Sequence, residues 1–358
     1  MGKGRQPGLP PGGDSRPLLV FCEVSDRERG ELTRALAGCA IRLFHQPAQE
    51  IPPAELSDAR ALSVFIHSRV DADLLAHLPH VGLIATRSTG FDHIDLAACT
   101  ARGIVVSNVP HYGENTVAEF TFALILALAR HLVDAVERTR RGDFRLAGLE
   151  GFDLRGKTLG VVGAGNIGLH VIRIARGFDM TVLAHDIRPH PLLAEVLGFT
   201  YVPLDDLLAR SDIVSLHVPA SEATRNLLNR ERFAQMKRGA ILINTARGSV
   251  VDSPALLWAL REGIVAAAAL DVVAGEELIS EEAELLERPG AEERLRALLC
   301  EHALLRQPNV IITPHMAFDT REALGRIVAT TIENIRGFLA GQPTNVVNPT
   351  ALGHARNG

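Results

Sequence analysis

Short apolar segments alternate with segments of helical periodicity in the first third of the chain. Runs of four to six mostly apolar residues are typical of parallel strands that are covered on both faces. Ser25 is a suitable N-cap for a helix predicted over 27–37 and ending at Gly38. This alternation predicts a small parallel α/β domain over roughly 17–109. Its strands are predicted at 18–22, 40–44, 62–66, 81–86 and 104–107.

A second alternation of the same kind begins at Lys157. It predicts a doubly wound parallel sheet with a glycine-rich turn directly after its first strand. The chain from Pro314 onward is too short for a third domain, so we expect it to return to the first one. The strands of the second sheet are predicted at 158–162, 181–185, 213–217, 241–244, 265–271 and 310–313.

The segment 115–138 between the two series is predicted to be one long helix. It is apolar on more than one face, with Phe120, Phe122 and Leu124 among its large side chains. Two interpretations fit this pattern equally well. The helix is either a bridge between domains that packs against a second subunit, or a core helix of one domain.

Composition excludes several classes of partner. The chain has 358 residues and a formal net charge of −5, with no block of consecutive Lys or Arg, which argues against nucleic acid or an anionic membrane as a partner. Residues 1–16 are rich in Gly, Pro and Arg and predict a disordered tail without a signal peptide. The most apolar run, 120–129, is far shorter than the ~20 residues that span a bilayer. The four cysteines are scattered without metal-like pairing, which favours a cytoplasmic protein without a metal.

The turn Gly163-Ala164-Gly165-Asn166-Ile167-Gly168 has the spacing of a dinucleotide-binding motif. Gly163 permits the tight turn, Gly165 lets the backbone approach a pyrophosphate, and Gly168 allows close packing of helix on sheet. Asp186 ends the next strand, where an acid accepts hydrogen bonds from a ribose diol and disfavours a 2′-phosphate, which predicts NAD rather than NADP. A surface acid or a helix cap is the alternative interpretation of Asp186.

Three chemically competent side chains follow the carboxyl ends of predicted strands, where open parallel sheets bind ligands. Arg247 offers a planar fork of donors to a carboxylate or carbonyl oxygen. His315 can exchange a proton near neutral pH, and Glu276 can orient its ring and favour the charged form. Together they would polarise and protonate a ketone that receives a hydride from a nicotinamide. Taken singly, Arg247 could be an ion-pair residue, Glu276 part of a solvated face, and His315 a structural loop residue.

With these motifs the chain, from about Leu18 to Asn348, resembles the D-isomer-specific 2-hydroxyacid dehydrogenase family. The resemblance implies two flavodoxin-like or Rossmann-like doubly wound domains, with an NAD-binding domain (113–315) inserted into a substrate-binding domain (17–112 and 316–350). The motifs that carry it, besides the glycine turn, are Arg87-Ser88-Thr89-Gly90-Phe91-Asp92-His93-Ile94-Asp95, Leu216-His217-Val218-Pro219, Ile243-Asn244-Thr245-Ala246-Arg247-Gly248, Ala269-Leu270-Asp271-Val272 and Ile312-Thr313-Pro314-His315.

The resemblance also implies a role for particular residues. Arg247 would bind and polarise the substrate, Glu276 would tune the acid, and His315 would be the proton donor and acceptor. The backbone of Thr89 and Gly90 would hold the substrate carboxylate. Cofactor contacts are implied for Gly163, Gly165, Asn166, Ile167, Asp186, Val218, Pro219, Thr224, Thr245, Ala246, Arg247 and Asp271.

Within the family the D-lactate dehydrogenase branch is the most similar. Pro110-His111-Tyr112 resembles that branch's Pro-x-Tyr, in which the tyrosine lines the substrate pocket, and Asp319 departs from the aromatic residue common there. The expected activity is reversible, NAD-dependent reduction of a pyruvate-like 2-keto acid to the D-2-hydroxy acid. Glyoxylate or hydroxypyruvate reduction, phosphite oxidation, or an NADH-sensing corepressor-like role are the alternatives. The resemblance also implies a homodimer formed around 115–138.

Overall fold

The computed structural model describes residues 16–274 and 291–349, with side chains described at 16–274 and 298–349. The described chain divides into two compact units. The first contains 16–112 and 321–349, and the second is Gly113–Thr320. The first unit is therefore built from two chain segments that lie on either side of the second in sequence.

The first unit is a five-stranded parallel sheet with the order β2-β1-β3-β4-β5, which is the flavodoxin-like arrangement. Strands β3 and β4 are buried along their whole length, as their continuous apolar runs require. Helix α1 begins with a capping box in which Ser25 and Glu28 bond each other's backbone and side chain. The elements are β1 (Leu18–Phe21), α1 (Asp26–Ala35), β2 (Ala40–Leu43), α2 (Pro53–Leu56), β3 (Ala61–Val64), α3 (Ala72–Ala76), β4 (Leu83–Thr86), α4 (Leu96–Ala101), β5 (Val105–Ser107) and, after the second unit, α13 (Arg321–Leu339).

The second unit is a seven-stranded parallel sheet with the order β12-β11-β10-β9-β6-β7-β8. The strand order reverses at β6, where the glycine turn lies, and this is the position at which such sheets bind nucleotides. The elements are α5 (Glu114–Ala129), α6 (Leu132–Arg140), β6 (Thr158–Val162), α7 (Asn166–Gly177), β7 (Thr181–His185), α8 (Pro191–Leu197), β8 (Thr200–Tyr201), α9 (Leu204–Arg210), β9 (Ile213–Leu216), α10 (Arg230–Gln235), β10 (Ala240–Asn244), α11 (Ser253–Arg261), β11 (Val265–Leu270), α12 (Ala291–Leu305) and β12 (Val310–Ile312).

The two parallel sheets confirm the predicted fold class. Each predicted strand is present, and several end one or two residues earlier than expected. The two-residue strand β8 was not predicted, because Thr200–Tyr201 carries too little apolar pattern to be recognised.

The prediction of one helix over 115–138 is wrong. The helix ends at Ala129, and α6 begins at Leu132 after His131 adopts a left-handed conformation with φ 46°. Helix α5 packs in the core of the second unit, where Ala118 and Ile125 are fully buried. Among the described residues no single helix is long and apolar enough to cross a membrane. The pair α5 and α6 passes that test of length and composition only when joined, and it is bent by 63°.

Candidate functional site

The glycine turn of the second unit is shaped by close backbone contacts. Gly163 has φ 95°, and a Cβ there would lie 2.5 Å from the carbonyl oxygen of His217. A Cβ at Gly168 would collide with the carbonyl oxygen of Gly163. At Gly165 the same atom would meet nothing within 4 Å, so the backbone is open to a ligand on that side. Helix α7 begins at Asn166, and its first N–H groups lie at this opening. These features fit the pyrophosphate of NAD.

Asp186 closes the turn from the next strand. One carboxylate oxygen accepts the N–H of Ala164 at 2.8 Å, and the other accepts the N–H of Arg188 at 2.8 Å. A carboxylate offers about four acceptor positions, so two such bonds leave capacity for a ribose diol. Asp186 therefore stabilises the glycine turn and keeps acceptor positions for a ligand. It is neither a helix cap nor an isolated surface acid.

The loop after β9 is closed by its own side chains. The hydroxyl of Thr224 donates to the carbonyl oxygen of Pro219 at 2.7 Å and accepts the N–H of Ser221 at 2.9 Å. At the start of this loop, Nε2 of His217 lies 2.8 Å from Oγ of Ser215. Burial lowers the pKa of His217 to about 3, so its ring is neutral at physiological pH. Val218 is half-buried and Pro219 exposed in the same loop.

The loop after β10 is held by Asn244, whose side chain is almost fully buried. Its Nδ2 donates to the carbonyl oxygen of Arg247 at 2.9 Å, and its Oδ1 accepts the N–H of Ala246 at 3.0 Å. The guanidinium of Arg247 donates from Nη1 to the carbonyl oxygen of Ala246 at 2.8 Å. Gly248 follows, and a Cβ there would collide with the backbone of Val273, so the loops after β10 and β11 pack in direct contact.

Thr245 in this loop has a fixed hydrogen-bonding direction. Its Oγ1 lies 3.1 Å from Oγ1 of Thr121 on α5, and Thr121 donates its own proton to the carbonyl oxygen of Val117 at 2.8 Å. A hydroxyl has one proton, so Thr245 must be the donor to Thr121. The hydroxyl of Thr245 can therefore only accept a hydrogen bond from a ligand.

His315 lies in a loop that is fixed by hydrogen bonds to Asp271. His315 has φ 52°, a left-handed conformation that is uncommon outside glycine, and its N–H donates to the carbonyl oxygen of Asp271 at 2.9 Å. The buried carboxylate of Asp271 accepts the hydroxyl of Thr313 at 2.6 Å and the N–H groups of Met316 and Ala317 at 2.9 Å each. Donors on both sides of His315 thus converge on one carboxylate, which fixes the unusual backbone of the histidine.

Strand register brings Arg247 and His315 to one edge of the sheet. Asn244 of β10 pairs with Leu270 of β11, and Leu270 pairs with Ile312 of β12. Arg247 and His315 each lie three residues beyond these paired positions, on strands two apart, which corresponds to a separation of about 9–10 Å between strand axes. The ring of Phe318 packs edge-on against His315, with centroids 6.4 Å apart. Glu276, the third member of the predicted group, lies outside the described residues.

The candidate substrate residues of the first unit lie at the carboxyl edge of its own sheet. Thr89 is exposed and Gly90 half-buried, directly after the buried pair Arg87 and Ser88 that follows β4. Tyr112 is half-buried beyond β5, and its carbonyl oxygen accepts Nε of Arg326 from α13 at 2.7 Å.

Comparison with known proteins identifies the family. The NAD-binding domain of the D-isomer-specific 2-hydroxyacid dehydrogenases matches residues 122–317. A glyoxylate reductase of Korarchaeum cryptofilum is 37% identical over 307 residues, which is 84% of this chain and 86% of that protein. The D-lactate dehydrogenase kk1H of Curvularia clavata is 36% identical over 323 residues, or 89% of each chain.

A solved structure agrees with these sequence matches. D-lactate dehydrogenase from Aquifex aeolicus, complexed with NAD and lactic acid, superposes with a TM-score of 0.84 at 36% identity, covering 92% of this chain and 99% of that one. The chain belongs to the D-isomer-specific 2-hydroxyacid dehydrogenase family. It is an oxidoreductase of that family with NAD as its cofactor, which confirms the predicted resemblance and cofactor.

Two residues that shape the site were missed by sequence reasoning as functional candidates. Thr121 gives no signal, because a threonine inside an apolar helix is ordinary. Asn244 belongs to the motif Ile243-Asn244-Thr245-Ala246-Arg247-Gly248, and a polar side chain at the end of a buried strand is the sequence signal that could have identified it. Asp271 was predicted as a cofactor contact, and its bonds to the His315 loop come from residues more than forty positions away.

Proposed function

We propose that this protein reversibly reduces a small 2-keto acid, pyruvate in the first instance, to the D-2-hydroxy acid. The observation that carries the proposal is the common sheet edge of Arg247 and His315, with the backbone of His315 fixed by Asp271. A fixed cation and a fixed imidazole are what ketone reduction requires at the oxygen that gains charge and then a proton.

Each residue has a proposed role in this reaction. Bound NADH supplies the hydride. Arg247 binds the keto oxygen and stabilises the charge that develops on it, and His315 donates the proton to that oxygen, with Glu276 as its proposed partner. The N–H groups of Thr89 and Gly90 hold the substrate carboxylate, and Tyr112 lines the pocket.

The proposed cofactor contacts follow the loops at the carboxyl edge of the second sheet. Thr245, as an acceptor, would take a hydrogen bond from a donor on the cofactor. The remaining proposed contacts are Gly163, Gly165, Asn166, Ile167, Asp186, Val218, Pro219, Thr224, Ala246, Arg247 and Asp271.

Two of the relatives support two different substrates. The lactic acid complex of the Aquifex aeolicus enzyme favours pyruvate and D-lactate. The glyoxylate reductase of Korarchaeum cryptofilum supports glyoxylate as the second candidate.

A panel of NADH-dependent reductions tests this proposal. Purified protein is assayed with pyruvate, glyoxylate, hydroxypyruvate and longer 2-keto acids, and the product of pyruvate is separated by chiral chromatography. We expect the highest kcat/KM for pyruvate and D-lactate as product. A kcat/KM about tenfold higher for glyoxylate would replace pyruvate with the second candidate. Absence of turnover with every acid, by protein that binds NADH, would overturn the activity.

Arg247→Lys sharpens the panel, because lysine keeps the charge and loses the planar fork. We expect kcat/KM to fall about tenfold or more, since hydrogen bonds to charged groups contribute about 1.5–3 kcal/mol. Arg261→Lys, at the exposed end of α11, is the matched control and should keep the wild-type rate.

A homodimer formed through α5 and α6 is also proposed. Leu132, Val133 and Val136 of α6 are exposed by 40–55% although they are large and apolar, which supports burial against a second copy. Light scattering that gives a monomeric mass would overturn this. A cytoplasmic location is proposed because Cys22, Cys39, Cys99 and Cys300 are all free thiols.

A further inference from the structure

Three successive carbonyl groups of the loop after β4 each accept a hydrogen bond. The carbonyl oxygen of Ser88 accepts the N–H of Val109 at 3.0 Å, and that of Thr89 accepts Nδ2 of Asn108 at 2.8 Å. The carbonyl oxygen of Gly90 accepts the hydroxyl of Ser88 at 2.6 Å. The hydroxyl of Thr89 is held as well, by donation to the carbonyl oxygen of Val109 at 2.8 Å.

These bonds determine the direction of the N–H groups in the same peptides. A trans peptide is planar, and its C=O and N–H bonds point in opposite directions. Fixing the carbonyls of Ser88 and Thr89 therefore fixes the N–H groups of Thr89 and Gly90. Both are directed away from the 108–109 segment, and the loop presents them in one arrangement before any ligand binds.

Asn108 is itself held by a buried amide from the C-terminal helix. Nδ2 of Asn334, on α13, donates to the carbonyl oxygen of Asn108 at 2.8 Å, and the N–H of Asn108 donates to the carbonyl oxygen of Asn345 at 3.1 Å. Asn334 has no solvent exposure. Its Oδ1 accepts Nδ2 of Asn345 at 2.8 Å and the hydroxyl of Thr344 at 3.0 Å. Breaking one bond in such a buried network leaves a polar group without a partner, so the network holds one geometry.

We propose that Asn108 and Asn334 are positioning residues that orient the N–H groups of Thr89 and Gly90 for the carboxylate of the substrate. The carboxylate part rests on the proposed function. The orientation part rests on the hydrogen bonds of the first unit alone. Neither asparagine touches the substrate in this scheme. Their effect passes through the carbonyl of Thr89.

The chain offers a matched control in Asn348. It is also a buried asparagine of the C-terminal segment, and it also bonds the β5 region, with Oδ1 accepting the N–H of Val106 at 2.8 Å and Nδ2 donating to the carbonyl oxygen of Ile104 at 2.9 Å. Those contacts lie before β5 and at its middle residue, and they do not reach the loop of Thr89. Asn348→Ala should therefore cost stability without changing the loop.

The experiment compares Asn108→Ala, Asn334→Ala and Asn348→Ala in two assays. In steady-state kinetics with the best acid of the panel, we expect the first two variants to raise the KM of the acid about tenfold, as misorientation of a binding group does, with kcat nearly unchanged. The Kd of NADH should stay at the wild-type value. In hydrogen exchange without ligand, the amide of Val109, which donates to the carbonyl oxygen of Ser88, should exchange about fivefold faster in the same two variants, the change expected for the loss of one hydrogen bond.

Asn345→Gly keeps the test valid if Asn334→Ala fails to fold. Asn345 has φ 51°, which glycine adopts without strain, so this variant removes only the side-chain bond to Asn334. It should give smaller changes in the same direction. Equal effects of Asn348→Ala, or unchanged exchange of the Val109 amide in the folded variants, would overturn the positioning role. Faster exchange in a protein whose KM is unaffected, or which reduces no acid, would retain the orientation and overturn the carboxylate role.

Discussion

The two sheet edges that carry the candidate residues, one in each unit, are shaped in opposite ways. At the glycine turn of the second unit, backbone meets backbone because side chains are missing, as between Gly168 and Gly163. At the loop of Thr89 in the first unit, polar side chains hold the backbone carbonyls in place. One edge obtains its geometry from close packing and the other from a buried hydrogen-bond network. The close packing can be recognised in the sequence from a few adjacent glycines. The hydrogen-bond network joins residues that are more than two hundred positions apart.

The largest expected effect distinguishes proton transfer by the His315 side chain from the support of its loop by Asp271. His315→Asn should lower kcat about 10²–10⁴-fold, the usual contribution of a general acid, because asparagine tolerates the left-handed backbone but does not donate the proton in the same way. The Kd of NADH, from fluorescence titration, should change less than about twofold, since the loop is still held by Asp271. His131→Asn is the control and should keep the wild-type kcat. His131 also has a positive φ in the second unit, but it lies at the junction of α5 and α6. A wild-type kcat for His315→Asn would remove the histidine from the mechanism.

The packing at the glycine turn can be broken with one methyl group. Gly168→Ala places a Cβ against the carbonyl oxygen of Gly163, and we expect a loss of about 1–3 kcal/mol in the free energy of unfolding together with weak NADH binding. Gly165→Ala meets no protein atom, so it should fold normally and weaken only the binding of NADH. Urea unfolding and NADH titration measure the two effects. Equal stability of both variants would contradict close packing as the basis of the turn.

Asp271→Asn tests whether a side-chain network also operates in the second unit. An amide cannot accept all three donors that the carboxylate binds, and a buried donor without a partner costs about 1–3 kcal/mol. We therefore expect lower stability and a kcat reduced about tenfold, through misplacement of His315. Asp212→Asn is the matched control, because Asp212 bonds the N–H of Thr158 at the amino end of the same sheet. That variant should keep kcat, and a matching loss of kcat in both would refute a specific role of Asp271.

Acid tests the comparison without a ligand, since His217 titrates and the amides of Asn108 and Asn334 do not. The folded pKa of His217 is about 3, below the ordinary value near 6.5, so its contribution to stability is complete above pH 6.5. As pH falls from 6.5 to 3, the unfolded chain binds a proton that the folded chain does not, and the free energy of unfolding falls by up to about 1.4 kcal/mol per pH unit. Urea unfolding across this range should show a shallower decline for His217→Gln than for the wild type. Parallel curves would exclude His217 as a source of acid sensitivity.

The sequence was sufficient for both sheets, the family and the cofactor, because these depend on local signals. Apolar runs predict strand centres, and Gly163, Gly165 and Gly168 follow such a run directly. The break between α5 and α6 could not be predicted, because its left-handed residue is His131 rather than the glycine or asparagine that usually adopts this conformation. The domain boundaries and the roles of Arg247, Glu276 and His315 stay predictions.

The residues of the site could be predicted from the sequence more readily than the contacts that fix their geometry. Asn334 bonds Asn108 across 226 positions, and Met316 bonds Asp271 across 45. Nothing in the pattern around Asn334 distinguishes it from a polar residue on the exposed face of a helix. Such pairs are determined by how the sheet edges and helices pack, which a local pattern does not encode.

The first unit is built from two separate segments of the chain, and this affects the order in which the protein can fold during synthesis. Leu19, Phe21 and Leu83 pack in one cluster with Val328, Ile332 and Ile335 of α13. During translation the whole of Gly113–Thr320 leaves the ribosome before this helix does. The N-terminal domain of a nascent chain usually folds first, but this cluster cannot be completed until the second unit has been synthesised. A newly synthesised molecule can therefore complete the sheet of its second unit while the sheet of the first unit still exposes an apolar face to water.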